Sequence, residues 1–208
     1  MPTAYPSGGR SFLPPSPRPP MTRPPPRLET ARTVVRMAEE QDAPAIARYY
    51  DENREHLAPS RPRVGEEFYT APFWTGQVRA NQAEFRDGRS VRLFAFDREE
   101  PARVIGNLNF TQIFRHPAHY CVLGYGLDRR YEGRGIMGEA VEAAVEYMFL
   151  EQRMHRVMAN YVPRNERSGR LLRRLGFVVE GYARDYLLLN GRWEDHILTS
   201  RTNDAWEP

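Results

Sequence analysis

The chain has 208 residues, 40% apolar and 12% aromatic, enough for one core of ordinary domain size. A mean hydropathy of −0.69 and the lack of any apolar run near the roughly 20 residues of a bilayer-spanning helix exclude a helical membrane protein. The single cysteine, Cys121, excludes an internal disulfide scaffold, and no cluster of Cys and His has metal-ligand spacing, so no metal is expected. All 30 cationic residues are arginine, and their excess sits at the front. Residues 1–36 carry six Arg against Glu29 alone, whereas residues 37–208 carry 24 Arg against 26 acids. The basic character belongs to the tail, and a near-neutral body speaks against specific DNA binding. A reducing, cytoplasmic setting is the expectation.

Ten of the 18 prolines lie in residues 1–26, where missing amide donors and few hydrophobes oppose a packed structure. Residues 1–30 are expected to form a disordered Pro/Arg-rich extension, with Met21 as an alternative start. A ligand for a partner groove or for RNA remains open there. No secretory n-region or h-region is visible. The folded body is expected over residues 31–203, with a short tail at 204–208.

Within it, Thr33 to Met37 reads as a strand, followed by a helix from Asp42 to His56 with Asp42 as N-cap and Pro44 in its first turn. Phe73 to Phe85 reads as a second helix, closed by Asp87-Gly88. Three strands follow, Val91 to Phe96, Val104 to Phe110 and Tyr120 to Leu127. Val141, Ala144, Val145 and Met148 make one buried stripe on a helix from Gly138 to Glu151. A strand from Arg156 to Tyr161, a helix from Glu166 to Leu175 capped by Gly176, and two strands, Val178 to Leu189 and Arg192 to Ser200, complete the chain. Asn190-Gly191 joins the last two as a hairpin. The class is α+β, a mixed and mainly antiparallel sheet flanked by helices, in the order β-α-α-β-β-β-α-β-α-β-β.

The most informative stretch is Tyr131-Glu132-Gly133-Arg134-Gly135-Ile136-Met137-Gly138. Glycines let backbone amides turn toward a common point, and the following helix adds free N–H groups and its positive end, so the segment can cradle a phosphate. It is neither a Walker loop nor a Rossmann fingerprint. A tight glycine turn that only starts a helix is the alternative.

In its context, with Asn165 opening a short helix that ends in Leu175-Gly176-Phe177, the segment resembles the GCN5-related N-acetyltransferase (GNAT) family over residues 33–201. Glu52-Asn53-Arg54-Glu55-His56-Leu57, Leu123-Gly124-Tyr125-Gly126 and Glu180 to Leu188 are similar to a branch that acetylates ribosomal-protein termini. The resemblance implies direct transfer from acetyl-CoA, the co-substrate, to an amine held in the same complex. The acceptor it implies is the N-terminal alanine of small-subunit ribosomal protein five, with ribosome association open. Another protein terminus, a small amine, or a ribosome- or RNA-associated factor binding through the basic tail remain alternatives.

On this resemblance, the amides of Gly133, Arg134, Gly135, Ile136 and Gly138 would receive the CoA diphosphate, with Arg134 adding charge. Asn165 would contact CoA as well as cap its helix, and amides near Gly126 and Leu127 would face the thioester oxygen. Glu132, where relatives carry Gln or Arg, would face away. The tyrosine by which many relatives protonate the thiolate is Leu172, so Ser168 is the candidate acid. Asp185, Tyr125 and His119 are candidate bases, although an α-amine with a pKa near ~8 needs little help. Cys121 reads as core, and consecutive strand residues Glu194-Asp195-His196 point to alternate faces and cannot converge. Asn53, His56 and Leu57 are the expected acceptor contacts.

Overall fold

The computed structural model describes residues 24–207. Its order is β1 (Arg27–Glu29), β2 (Thr33–Arg36), α1 (Ala43–Glu52), α2 (Arg54–Leu57), α3 (Ala71–Arg86), β3 (Val91–Asp97), β4 (Val104–Phe114), β5 (Tyr120–Leu127), α4 (Ile136–Leu150), β6 (Arg156–Met158), α5 (Glu166–Arg174), β7 (Val178–Leu189) and β8 (Arg192–Thr202). The strands form one sheet in the order β1-β2-β3-β4-β5-β6-β8-β7. Every neighbouring pair is antiparallel except β5 and β6. The expected α+β class holds.

Helices cover both faces of the sheet, which explains why β3 is apolar at successive positions rather than alternating. Leu93 and Ala95 pack into one cluster with Val141, Ala144, Val145 and Met148 of α4. Phe94 and Phe96, pointing the other way, pack with Ile46, Tyr49 and Tyr50 of α1 and with Trp74 and Val78 of α3. All four residues of the expected α4 stripe are fully buried. The last hairpin turns through Asn190 and Gly191 with φ of 45° and 79°, the left-handed pair that a two-residue turn needs.

Four expectations are corrected. Ordered chain begins before residue 31: Arg27–Glu29 pairs with β2 and Pro26 is buried, since alternation of Leu28 toward the core suffices for a short strand. Residues 1–23 of the expected extension lie outside the described residues. Asp42 holds the expected N-cap position of α1, but its side chain bonds no helix amide; its carboxylate accepts from the Glu39 amide at 2.7 Å and pairs with Arg36, closing the 3-10 turn before the helix. The helix expected to run to His56 breaks at Asn53, whose side-chain amide donates to the Tyr49 carbonyl at 2.9 Å, the competition by which Asn ends helices. α4 starts at Ile136 rather than Gly138, because left-handed Gly135 turns the chain directly into its first turn.

Candidate active site

The only parallel pair among the described strands opens the site. β5 pairs with β6 from Tyr120 to Val122, but from Leu123 to Leu127 it pairs only with β4 among the described strands. The chain beyond β6 turns instead to β8, where Tyr161 bridges Ile197. A wedge therefore opens between the upper half of β5 and residues 159–161. The His119 carbonyl faces β6, accepting from His155 and Arg156, and the Asp128 amide donates to Ile105 on the β4 side. Period-two alternation along an unbulged β5 then turns the amides of Tyr125 and Leu127 into the wedge and that of Gly126 toward β4. Of the two amides expected near the thioester, Leu127's is available and Gly126's is committed to the sheet.

Gly126 serves in another way. A Cβ there would lie 2.9 Å from Asn107 Oδ1, 3.3 Å from the Tyr49 hydroxyl and 3.4 Å from Leu57 Cδ2. Its hydrogen lets α1 and α2 close onto the strand. Tyr49 donates to Asn107 at 3.0 Å beneath this contact.

Above β5 the chain caps a turn on Asp128 and enters the cradle, where Gly133 and Gly135 hold φ of 75° and 78°. This left-handed geometry directs successive amides to one side. The first-turn amides of α4, at Ile136 and Met137, have no intrahelical acceptor. The Gly138 amide, by contrast, donates to the Gly135 carbonyl at 3.0 Å, so Gly138 gives room rather than a donor: a Cβ there, as at Gly133, would meet nothing within 4 Å. The open concavity and converging donors fit a diphosphate. Arg134 is exposed, with its guanidinium 5.7 Å from the Tyr131 ring centroid.

Two predicted catalytic residues meet. The Tyr125 and Ser168 hydroxyls are 2.7 Å apart. Asn165 caps α5 by accepting from the Ser168 amide at 3.1 Å, which fixes the serine at the wedge. Burial pushes the Tyr125 hydroxyl up to about 12, against the opposing hydrogen bond from Ser168, so it stays protonated at neutral pH. Leu172, one turn further along α5, is 1% exposed and belongs to the core.

On the acceptor side the predicted residues separate. Leu57 lies over Gly126. His56 Nε2 is 3.4 Å from Glu132 Oε1, and Glu132 also accepts from Arg167, so this acid spans α2 and α5 beside the cradle. Asn53 is 2% exposed, and its Oδ1 accepts from the Arg129 amide at 3.0 Å. Both ends of its side chain are used internally, so it positions α2 against the cradle entrance instead of offering a contact. Above the wedge, the Asn190 amide donates to the Arg61 carbonyl at 2.9 Å, joining the last hairpin to the loop after α2.

Other candidates fall away from this centre. Asp185 sits at φ 47° in a register shift of β7, its amide donating to Asp195; the Tyr125 and Ser168 hydroxyls bond each other rather than its carboxylate. His119 precedes β5, roughly 26 Å of strand from Leu127 at ~3.3 Å per residue. Cys121 is fully buried and burial raises its thiol to about 12. Glu194 pairs with Arg164, Asp195 accepts from Tyr182, and His196 packs on Tyr186. No group of three His, Cys, Asp or Glu side chains able to hold a metal ion occurs among the described residues. Arg32 and Glu139, bonded to each other beneath the cradle, lie 107 residues apart and carry no local sequence signal.

Comparison with known proteins gives the family and the fold. Residues 32–178 match the acetyltransferase (GNAT) domain family. The [ribosomal protein uS5]-alanine N-acetyltransferase of Escherichia coli K12 is 43% identical over 182 residues, covering 88% of this chain and 93% of that protein. A ribosomal-protein-S5-alanine acetyltransferase from Vibrio fischeri superposes with a TM-score of 0.84 at 41% identity, over 88% of this chain and 99% of its own. Mycobacterium smegmatis RimJ in complex with CoA-disulfide gives 0.78 at 25% identity, over 87% of each chain.

Proposed function

The chain belongs to the GNAT acetyltransferase family, and we propose that it moves the acetyl group of acetyl-CoA directly to the N-terminal alanine amine of ribosomal protein uS5. The observation that carries this reading is the wedge between β5 and β6, with a backbone cradle at its upper end and a paired hydroxyl on its wall, in a chain 43% identical to a uS5-alanine acetyltransferase.

Bound acetyl-CoA supplies the activated thioester. The amides of Gly133, Arg134, Gly135 and Ile136 hold its diphosphate with help from the α4 dipole, and Asn165 lies at its flank. The Leu127 amide polarises the thioester carbonyl from the wedge. The neutral α-amine attacks the carbonyl carbon and passes its proton to water, the C–S bond breaks as Ser168 Oγ–H protonates the departing sulfur, and Ser168 regains a proton from solvent, while the Tyr125 hydroxyl, protonated throughout the working range, keeps Ser168 oriented. His56 and Leu57 line the acceptor's entrance, and Asn53 holds them there. No helix among the described residues is long and apolar enough to cross a membrane; work in the cytoplasm, on free uS5 or at the ribosome, completes the reading.

The test is mass spectrometry of a synthetic peptide with the alanine-starting terminus of uS5, incubated with the full chain and acetyl-CoA. Acetylation of the α-amine is the expected result. An unmodified peptide, together with unmodified uS5 in purified small subunits, refutes it.

A further inference from the structure

The cradle is held from below by a residue far away in sequence. Arg32, on the turn between β1 and β2, sends its guanidinium under the glycine loop: Nη1 donates to the Arg134 carbonyl, while Nε and Nη2 donate to Glu139 Oε1 at 3.1 and 2.5 Å. A Cβ on Gly135 would lie 3.3 Å from Nη2, so the fork lies directly against this part of the loop.

We propose that Arg32 is a positioning residue for the CoA diphosphate, which rests on the cradle reading above. Two physical facts assign the role. The peptide linking Arg134 to Gly135 is planar and trans, so its C=O and N–H point in opposite directions. Anchoring the Arg134 carbonyl on Arg32 aims the Gly135 N–H away from Arg32, out of the loop and into the concavity. The second fact is electrostatic. Glu139 stands in the first turn of α4, where its negative charge would compete with a diphosphate for the positive helix end. The Arg32 guanidinium neutralises that charge in the bond that anchors it. The planar fork spans the carbonyl and the carboxylate with donors in fixed directions; an ammonium would keep the charge on a single nitrogen and hold the pair less rigidly.

CoA affinity measured by calorimetry on the full chain, and initial rates with the uS5 peptide, test the assignment. R32Q is expected to weaken CoA about tenfold and raise the KM for acetyl-CoA alike, with kcat within twofold and the peptide KM unchanged. R32K is expected to rescue less than half of that loss, and it carries the test alone if R32Q fails to fold. CoA affinity at the wild-type level in folded R32Q or R32K overturns the latch. So does a fall in kcat together with a rise in the peptide KM, which would mark general damage. Wild-type protein that binds no CoA refutes the cradle reading itself, and the latch with it.

Discussion

The two mouths of the wedge are built from different materials. On the CoA side the donors are main-chain amides of one contiguous run, Gly133 to Ile136, shaped by two left-handed glycines and a helix start. On the acceptor side the surface is side chains brought from separate segments, Leu57 over Gly126 and His56 against Glu132, with a main-chain bond tying Arg61 to Asn190 beside them. A backbone site serves a ligand that never changes, and its failure modes are steric. A side-chain site can be retuned for a new acceptor without touching the first. Substitutions on the CoA side should therefore abolish binding of acetyl-CoA, and those on the acceptor side should shift stability or peptide KM.

The sharpest break of this contrast is Gly135→Asp. An aspartate must adopt φ near 78°, crowd Arg32, and bring a negative charge to the diphosphate. CoA affinity is expected to fall at least about a hundredfold, with far-ultraviolet circular dichroism unchanged; calorimetry reads it directly. Next is Ser168→Ala, which is expected to lower kcat by about 10² while the KM for acetyl-CoA stays within twofold, the pattern of a lost proton donor. Tyr125→Phe should cost only a few-fold, because its hydroxyl, held to about 12 by burial, orients Ser168 and does not titrate.

The unequal legibility of the two mouths has the same origin. The cradle was readable because its glycines and helix start are neighbours in sequence. Alternation on β5 also gives the wedge-facing Leu127, and would have shown Gly126 facing β4 had the direction of the β4 bonds been known. Ser168 and Tyr125 could each be singled out, but their bond spans 43 residues and only the fold reveals it. Arg32 lies 102 residues from Arg134 in a stretch that composition assigns to the tail, so no local pattern marks it. Asn53 differs from its expected role for a related reason: the resemblance places its segment at the acceptor side, while its own partner is the Arg129 amide 76 residues on.

Asn53 therefore gives the next prediction. Asn53→Ala removes the bonds to the Tyr49 carbonyl and the Arg129 amide, and leaves one buried and one partly buried backbone group unpaired. Urea unfolding should show a loss of about 2–3 kcal/mol, with a peptide KM raised more than that for acetyl-CoA, since α2 loses its tether and the cradle does not. An equal rise in both KM values would erase the distinction between the mouths.

The smallest effect is expected from Asp185→Asn, and its smallness is informative. A general base contributes about 10²–10⁴ to rate, so a base at this position would make the substitution severe. The Tyr125 and Ser168 hydroxyls bond each other rather than the Asp185 carboxylate, and the Asp185 amide is fixed on Asp195 within a β7 irregularity. The proton to be removed belongs to an α-amine that ionises near pH ~8, and water in the open wedge can take it. The kcat/KM for peptide should accordingly rise tenfold per pH unit below about 8 and level off above, because only the neutral amine attacks. In Asp185→Asn the same curve should persist within twofold at every pH. A displaced or flattened rise would return a protein base to the mechanism and place it on the last hairpin, drawing the acceptor side into the chemistry as well as into recognition.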